Sequence, residues 1–147
     1  DKDSEGLILL TDDGEWTQHL LHPRYGVERE YAVGLRHYID EAQGAALVHG
    51  IELDEGLATL ADLRPATSAE AARLEDGQGP PLTWYRAVLT QGWKRQLRRM
   101  FAAVGAPVER LVRVRIGTLR LDDLAPGAVR PLTSAERDRL AASRAAR

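Results

Sequence analysis

The sequence predicts an α+β domain, and two adjoining segments carry most of that prediction. Across Gln91–Gly105, Leu97, Phe101 and Val104 recur at helical spacing, while Arg95, Arg98, Arg99 and Ala102 fall elsewhere around the same helix. After Pro107 the period changes to two. Val108, Arg110, Val112, Val114 and Ile116 share one side of a strand, and Glu109, Leu111, Arg113 and Arg115 share the other. Gly105 and Pro107 punctuate the change as a helix stop followed by a turn. The third observation is length: 147 residues are enough for one domain with its own core and too few for two.

Each remaining element follows from pattern and punctuation. Asp1–Glu5 is a polar loop. Leu7–Leu10, four apolar residues between Gly6 and the turn Asp12-Asp13-Gly14, are too few for a helix and predict a short, fully buried strand. Glu15–Leu21 predicts a helix with Trp16, Leu20 and Leu21 inward, ended by Pro23. Val27–Leu35 alternates as a half-buried strand, with Val27, Arg29, Tyr31 and Val33 on one side and Glu28, Glu30, Ala32 and Gly34 on the other. Tyr38–His49 predicts a helix stopping at Gly50, then a turn at Asp54-Glu55-Gly56 and a strand Leu57–Leu63 that Pro65 breaks. Glu70–Pro81, acidic and then rich in Gly and Pro, reads as a flexible surface connection. Leu82–Thr90 is a strand, Thr118–Leu121 a short one, and Thr133 or Ser134 caps a last helix, Ala135–Ala142.

Composition excludes some function classes. There are no cysteines, hence neither a disulfide framework nor a thiolate metal site. His19 and His22 lie three apart but have no third ligand nearby, so no metal site is predicted. No apolar run approaches the roughly 20 residues of a membrane helix, and cytoplasmic residence is the default expectation. The net charge of −2 hides a split. Residues 1–85 hold 6 Lys/Arg against 17 Asp/Glu, whereas residues 86–147 hold 14 against 5. A polyanion meets the local field first, so a basic half can engage phosphates in an acidic protein.

Lys94, Arg95, Arg98 and Arg99 crowd six positions, and between Gln91 and Gly117 only Glu109 is acidic. Such a helix either grips phosphates or is a solvated charged face. Asp1, Asp3, Ser4 and Glu5 are either catalytic groups on a loop held by a rigid element or surface acids at a frayed end. Tyr31 is either a core aromatic or the wall of an active site.

Three ordered segments resemble the RsuA/RluB/RluE family of ribosomal-RNA pseudouridine synthases. DKDSEGLILLTDDGE is similar to the end of the family motif G-R-L-D-x-x-(S/T)-x-G-L-(L/I)-(L/I)-L-T-(N/D)-D-G, with Asp1 on its aspartate. HPRYGVEREYAV is similar to H-P-…-(K/R)-x-Y-x-V, with Tyr31 on the tyrosine. QGWKRQLRRMFAAVGAPVERLVRVRIG resembles E-G-R-(N/Y)-(R/H)-Q-(V/I)-R-R-M-…-V-G-…-L-x-R-x-x-(I/M)-G. The resemblance implies a mixed, largely antiparallel sheet flanked by helices, with aspartate loop, tyrosine strand and basic helix converging on one cleft. It implies cofactor-free isomerisation of a uridine in ribosomal RNA, the large-subunit RNA being favoured. Asp1 would be the nucleophile, Arg98 the guanidinium that keeps it ionised and oriented, and Tyr31 the ring against the flipped base. Lys94, Arg95, Gln96 and Arg99 would contact flanking RNA. No protein partner is evident, and a monomer is expected.

Two departures from the family pattern stand out. The G-R-L before the aspartate is missing, as is the small RNA-binding module that usually precedes this domain, so the chain reads as an N-terminally truncated catalytic domain. The free α-ammonium of Asp1 is then expected to compete with Arg98 for the carboxylate and to leave the chain inactive or nearly so. Trp93-Lys94 also stands where the family often has Arg-Asn. The alternative is a non-catalytic RNA-binding domain using the basic C-terminal half. A plain structural domain, its arginines paired with the acidic half, comes last.

Overall fold

The computed structural model describes residues 1–144. In chain order its elements are β1 (Ser4–Gly6), α1 (Gly14–Leu21), β2 (Arg29–Leu35), α2 (Glu41–His49), β3 (Ile51–Leu53), β4 (Gly56–Ala58), β5 (Asp62–Pro65), α3 (Ser68–Leu74), β6 (Thr83–Leu89), α4 (Gln96–Ala103), β7 (Arg110–Ile116), β8 (Leu119–Arg120) and α5 (Ser134–Ala141). The main sheet runs β1-β7-β2-β6-β5, with β8 added to β7, and β3 and β4 form a separate hairpin. All pairings are antiparallel except β1 with β7. The mixed, largely antiparallel α+β architecture is the expected one. Among the described residues no helix is long and apolar enough to cross a membrane.

Burial explains the layering. Helix α4 turns Leu97, Met100 and Phe101 onto Val33, Leu35, Tyr85, Ala87, Leu89 and Leu111 of the sheet, with Leu47 of α2 and Ala58 of β4 closing the cluster. The opposite sheet face carries Ala32, Trp84, Val112 and Val114 against Ala71 and Leu74. Leu7, Leu20, Val27, Ile116, Leu119 and Leu140 join α1 and α5 to the far end of β7. Strand β2 is therefore covered on both sides, which corrects the half-buried reading of Val27–Leu35; its central place in the sheet decides this, not its alternation.

Four other expectations are corrected. The first strand is Ser4–Gly6, not Leu7–Leu10: pairing with β7 ends at Gly6, and of the apolar run Leu7 is buried while Ile8 and Leu10 are exposed. Leu21 is likewise exposed. The Leu57–Leu63 strand is two strands in different sheets, and Pro65 ends β5 instead of breaking it, since an edge strand tolerates a missing N–H. Glu70–Pro81 is not wholly a connection. Helix α3 occupies Ser68–Leu74, started by a capping box in which Thr67 and Glu70 satisfy each other's backbone N–H groups.

Glu70 also anchors an ionic lattice on that face. Arg64 makes a two-point contact with it at 2.8 and 2.9 Å, and Arg86 bridges Glu70 at 3.3 Å to Glu30 at 2.6 Å. The Arg64 hydrogen bonds are the main reason the Glu70 carboxyl titrates at about 2. A carboxyl depressed in the folded state stabilises fully above its unfolded value near 4.5, and that contribution fades as pH falls through about 2. Glu70→Gln keeps a capping-box residue, so its cost is electrostatic. The variant's urea midpoint is expected below wild type at neutral pH, with the gap closing between pH 4.5 and about 2. A gap that persists at the acid end refutes the assignment.

Candidate active site

Asp1 lies on the loop that β1 pins to the sheet. Ser4–Gly6 pair in parallel with Leu111–Arg113, and the Leu7 N–H donates to the Arg113 carbonyl at 2.9 Å. The Asp1 carboxylate accepts three hydrogen bonds and makes one further ion pair. The Asp3 N–H reaches Oδ1 at 2.9 Å, and the Ser4 hydroxyl reaches Oδ2 at 3.0 Å. From α4, Arg98 Nε donates to Oδ2 at 2.7 Å and its Nη2 to the Asp3 carbonyl at 3.1 Å. Arg95 Nη1 lies 2.9 Å from Oδ1. The Asp1 and Arg98 side chains are each 14% exposed and Arg95 is 43% exposed, so one guanidinium is built in and the other is at the surface.

The basic segment differs locally from its expected form. Helix α4 begins at Gln96, which leaves Lys94 and Arg95 on the preceding loop. Arg95 is the N-cap in a left-handed conformation, φ 51°, uncommon for any residue with a Cβ, and it offers no side-chain cap. That backbone turn carries its guanidinium back toward Asp1. Lys94 is exposed. Arg99 points the other way, making a two-point contact with Glu55 at the β3–β4 turn at 2.8 and 2.7 Å; these hydrogen bonds hold the Glu55 carboxyl below its usual range. Gln96 is set apart from the other three residues expected at RNA. It is 3% exposed, and its amide donates to Gln91 Oε1 at 2.8 Å, so its role here is to brace the loop.

Tyr31 and Asp1 line one cleft of about 440 Å³, together with Leu89, Arg95, Leu97, Leu111 and Arg113. The strand register explains the company. Tyr31 sits opposite Arg113 and Glu30 opposite Arg115, so Val114 is skipped in a β-bulge. Simple alternation places Arg113 and Arg115 on one face. The bulge separates them: Arg113 lines the cleft, while Arg115 donates to Glu30 at 3.0 Å in the ionic lattice on the other face. Hollows of about 500 and 470 Å³ open beside α1 and along Leu7–Leu10, but neither gathers the Asp1 carboxylate with paired guanidiniums.

An ionised carboxylate fixed between two guanidiniums, with an aromatic ring in the same cleft and a basic loop at its rim, can serve as an oriented nucleophile beside a base-sized space. The sequence profile of the family described as RNA pseudouridylate synthase matches residues 1–103. The chain belongs to the RNA pseudouridylate synthase family. An uncharacterized RNA pseudouridine synthase of Mycobacterium leprae is 39% identical over 132 residues, covering 90% of this chain and 48% of that one. Ribosomal large subunit pseudouridine synthase B of Escherichia coli K12 is 39% identical over 116 residues, covering 79% of this chain and 36% of that protein. A crystal structure of a pseudouridylate synthase superposes with a TM-score of 0.77 at 33% identity, over 95% of this chain and 56% of the other. The chain thus spans about half, or less, of the length of the relatives it matches. The expected family and fold are both met.

Relative to other expectations for a pseudouridylate synthase, Asp1, Arg98 and Tyr31 do share one neighbourhood. Two features went unforeseen: Arg95 as a second partner of Asp1, and Arg113 in the cleft wall. No periodicity reveals a left-handed N-cap, and the bulge that places Arg113 leaves no mark in the alternation.

Proposed function

We propose that this chain isomerises uridine to pseudouridine in RNA, with ribosomal RNA of the large subunit as substrate and Asp1 as nucleophile. The observation that carries the reading is the Asp1 carboxylate, held at 2.7 Å by Arg98 and 2.9 Å by Arg95 in the cleft that Tyr31 lines. Family membership supports the reaction, and the resemblance to an enzyme named for the large ribosomal subunit supports the substrate.

Uridine leaves its stack and enters the cleft against the Tyr31 ring. Asp1 attacks, the N1–C1′ bond breaks, and the detached uracil rotates. A C5–C1′ bond then forms, the bond to Asp1 breaks and restores the carboxylate, C5 loses its hydrogen and N1 gains a proton, so the product is an isomer of the substrate. Three hydrogen bonds and the Arg95 ion pair surround the Asp1 carboxylate, so an incoming nucleotide has to displace one of these groups to reach it. Arg95 is the more exposed of the two guanidiniums and the one an incoming phosphate can draw away. Its departure opens the Oδ1 side, where the Asp3 N–H remains, while Arg98 keeps Oδ2 in place. Lys94 and Arg99 add phosphate contacts at the rim, Arg99 by exchanging Glu55 for RNA.

Tritium release from ribosomal RNA labelled at uridine C5 tests the reading. Release is expected from the wild-type sequence, and its absence overturns the proposed activity.

A further inference from the structure

We propose that Arg29 and Arg113 form an anion subsite beside Tyr31, and that it takes a backbone phosphodiester next to the nucleotide whose base enters the cleft. This deepens the reading of RNA as substrate and rests on it. The two arginines flank the ring in the strand register: Arg113 is directly opposite Tyr31 across β2 and β7, and Arg29 is two residues earlier on the same side of β2. Arg113 lines the cleft and spends Nε and Nη2 on the Leu7 carbonyl, at 2.9 and 2.7 Å. Arg29 lies under the loop leading to Arg95. A side-chain carbon added at Gly92 would sit 3.4 Å from its Nη2, and its one described hydrogen bond, to the Thr90 carbonyl, is 3.5 Å long.

Neither guanidinium forms an ion pair with a carboxylate among the described residues. The nearby acids on β2 are committed elsewhere, Glu30 to Arg86 and Arg115 and Glu28 to Arg115 at 3.8 Å. Burial is the main influence that lowers the Arg29 pKa; Tyr31 opposes it, and the positive charge of Arg113 adds to it. Arg113 on the cleft wall and Arg29 under the adjoining loop are close enough to repel, and such a pair without an ion-pair partner is unfavourable when empty and favourable once an anion arrives. An RNA phosphate there would fix the ribose on the cleft side of the chain and present the base to Tyr31. A uracil ring alone carries no charge to answer this pair.

The test is the salt dependence of binding to a short single-stranded oligoribonucleotide containing one uridine, for wild type, Arg29→Gln, Arg113→Gln and the rim variant Lys94→Gln. Each lost phosphate contact lowers the slope of log K against log salt by about 0.7 to 0.9. Between about 50 and 200 mM salt, wild-type affinity should therefore fall about threefold more than that of either cleft variant. A purely structural arginine would leave the slope unchanged. Cleft variants with the wild-type slope, while Lys94→Gln loses its share, overturn the subsite and leave RNA binding standing. A wild type with no salt-dependent binding overturns both. Should the glutamine variants not fold, Nε–H resonances of the wild-type arginines decide. Arg29 and Arg113 should shift on adding uridine 5′-monophosphate and stay put on adding uridine; equal responses to the two, or none, refute the subsite.

Discussion

Asp1→Asn is expected to abolish tritium release while leaving RNA affinity within about twofold of wild type. The amide is almost isosteric with the carboxylate, and its oxygen can still accept from Arg98 Nε, which donates to Oδ2 at 2.7 Å. Its NH2 would then oppose two donors, Arg95, which is exposed and can move aside, and the Asp3 N–H, one turn contact, while Ser4 and Arg98 still hold the oxygen. The loop should therefore keep its shape. What disappears is nucleophilicity, because a neutral amide cannot form the covalent bond the reaction needs. Losses on removing a covalent nucleophile are large, and roughly 10⁴-fold or more is expected here. Affinity depends on the cations around the cleft, all retained. Assayed in whichever form of the chain is active, unchanged turnover would remove Asp1 from the chemistry. Turnover and affinity falling together would point to a binding domain whose loop had collapsed.

Gly6→Ala is expected to cost about 3 kcal/mol or more of stability, from backbone strain and overpacking together. Gly6 has φ +95°, and a Cβ there would lie 2.2 Å from the Arg113 carbonyl oxygen and 2.7 Å from its nitrogen. Both are backbone atoms in the middle of β7, and no side-chain rotation relieves the contact. Strand β1 must therefore separate from β7, taking with it the bond from the Leu7 N–H and the grip of Arg113 on the Leu7 carbonyl. Because that three-residue strand fixes the loop of Asp1, activity should fall with stability. Urea unfolding and hydrogen exchange at Leu7 measure the effect, and a variant within about 0.5 kcal/mol of wild type would contradict it.

The contrast between α4 and the segments around it explains what the sequence makes legible. Leu97 and Phe101 mark the buried stripe of α4 because helical spacing is a local property, and both are fully packed. The same stretch conceals the left-handed turn at Arg95, since side-chain spacing carries no sign of a positive φ. Leu7–Leu10 misleads for a related reason: an apolar run records affinity for a core, whereas strand boundaries follow pairing with β7, which runs from Ser4 to Gly6 and closes with the bond from the Leu7 N–H. Helix α3 was signalled by Thr67 and Glu70 at capping-box spacing, but the neighbouring Gly and Pro residues obscured it. At the site, the motif resemblance points to Asp1, Tyr31 and Arg98, which the structure brings into one neighbourhood. It is silent on Gln96 being buried and on Arg99 turning to Glu55, because both depend on side-chain partners 5 and 44 positions away.

The pairing of β1 with β7 also dictates when the site can exist. Asp1 and Arg98 are 97 positions apart, and the strand that steadies the loop finds its partner still later in the chain. Closing so long a loop is entropically unfavourable until the intervening sheet has brought its ends together. On a ribosome, Asp1 is made well before α4 and β7 and cannot meet either until both have cleared the exit tunnel. The carboxylate must therefore wait for a guanidinium that is synthesised 97 residues later.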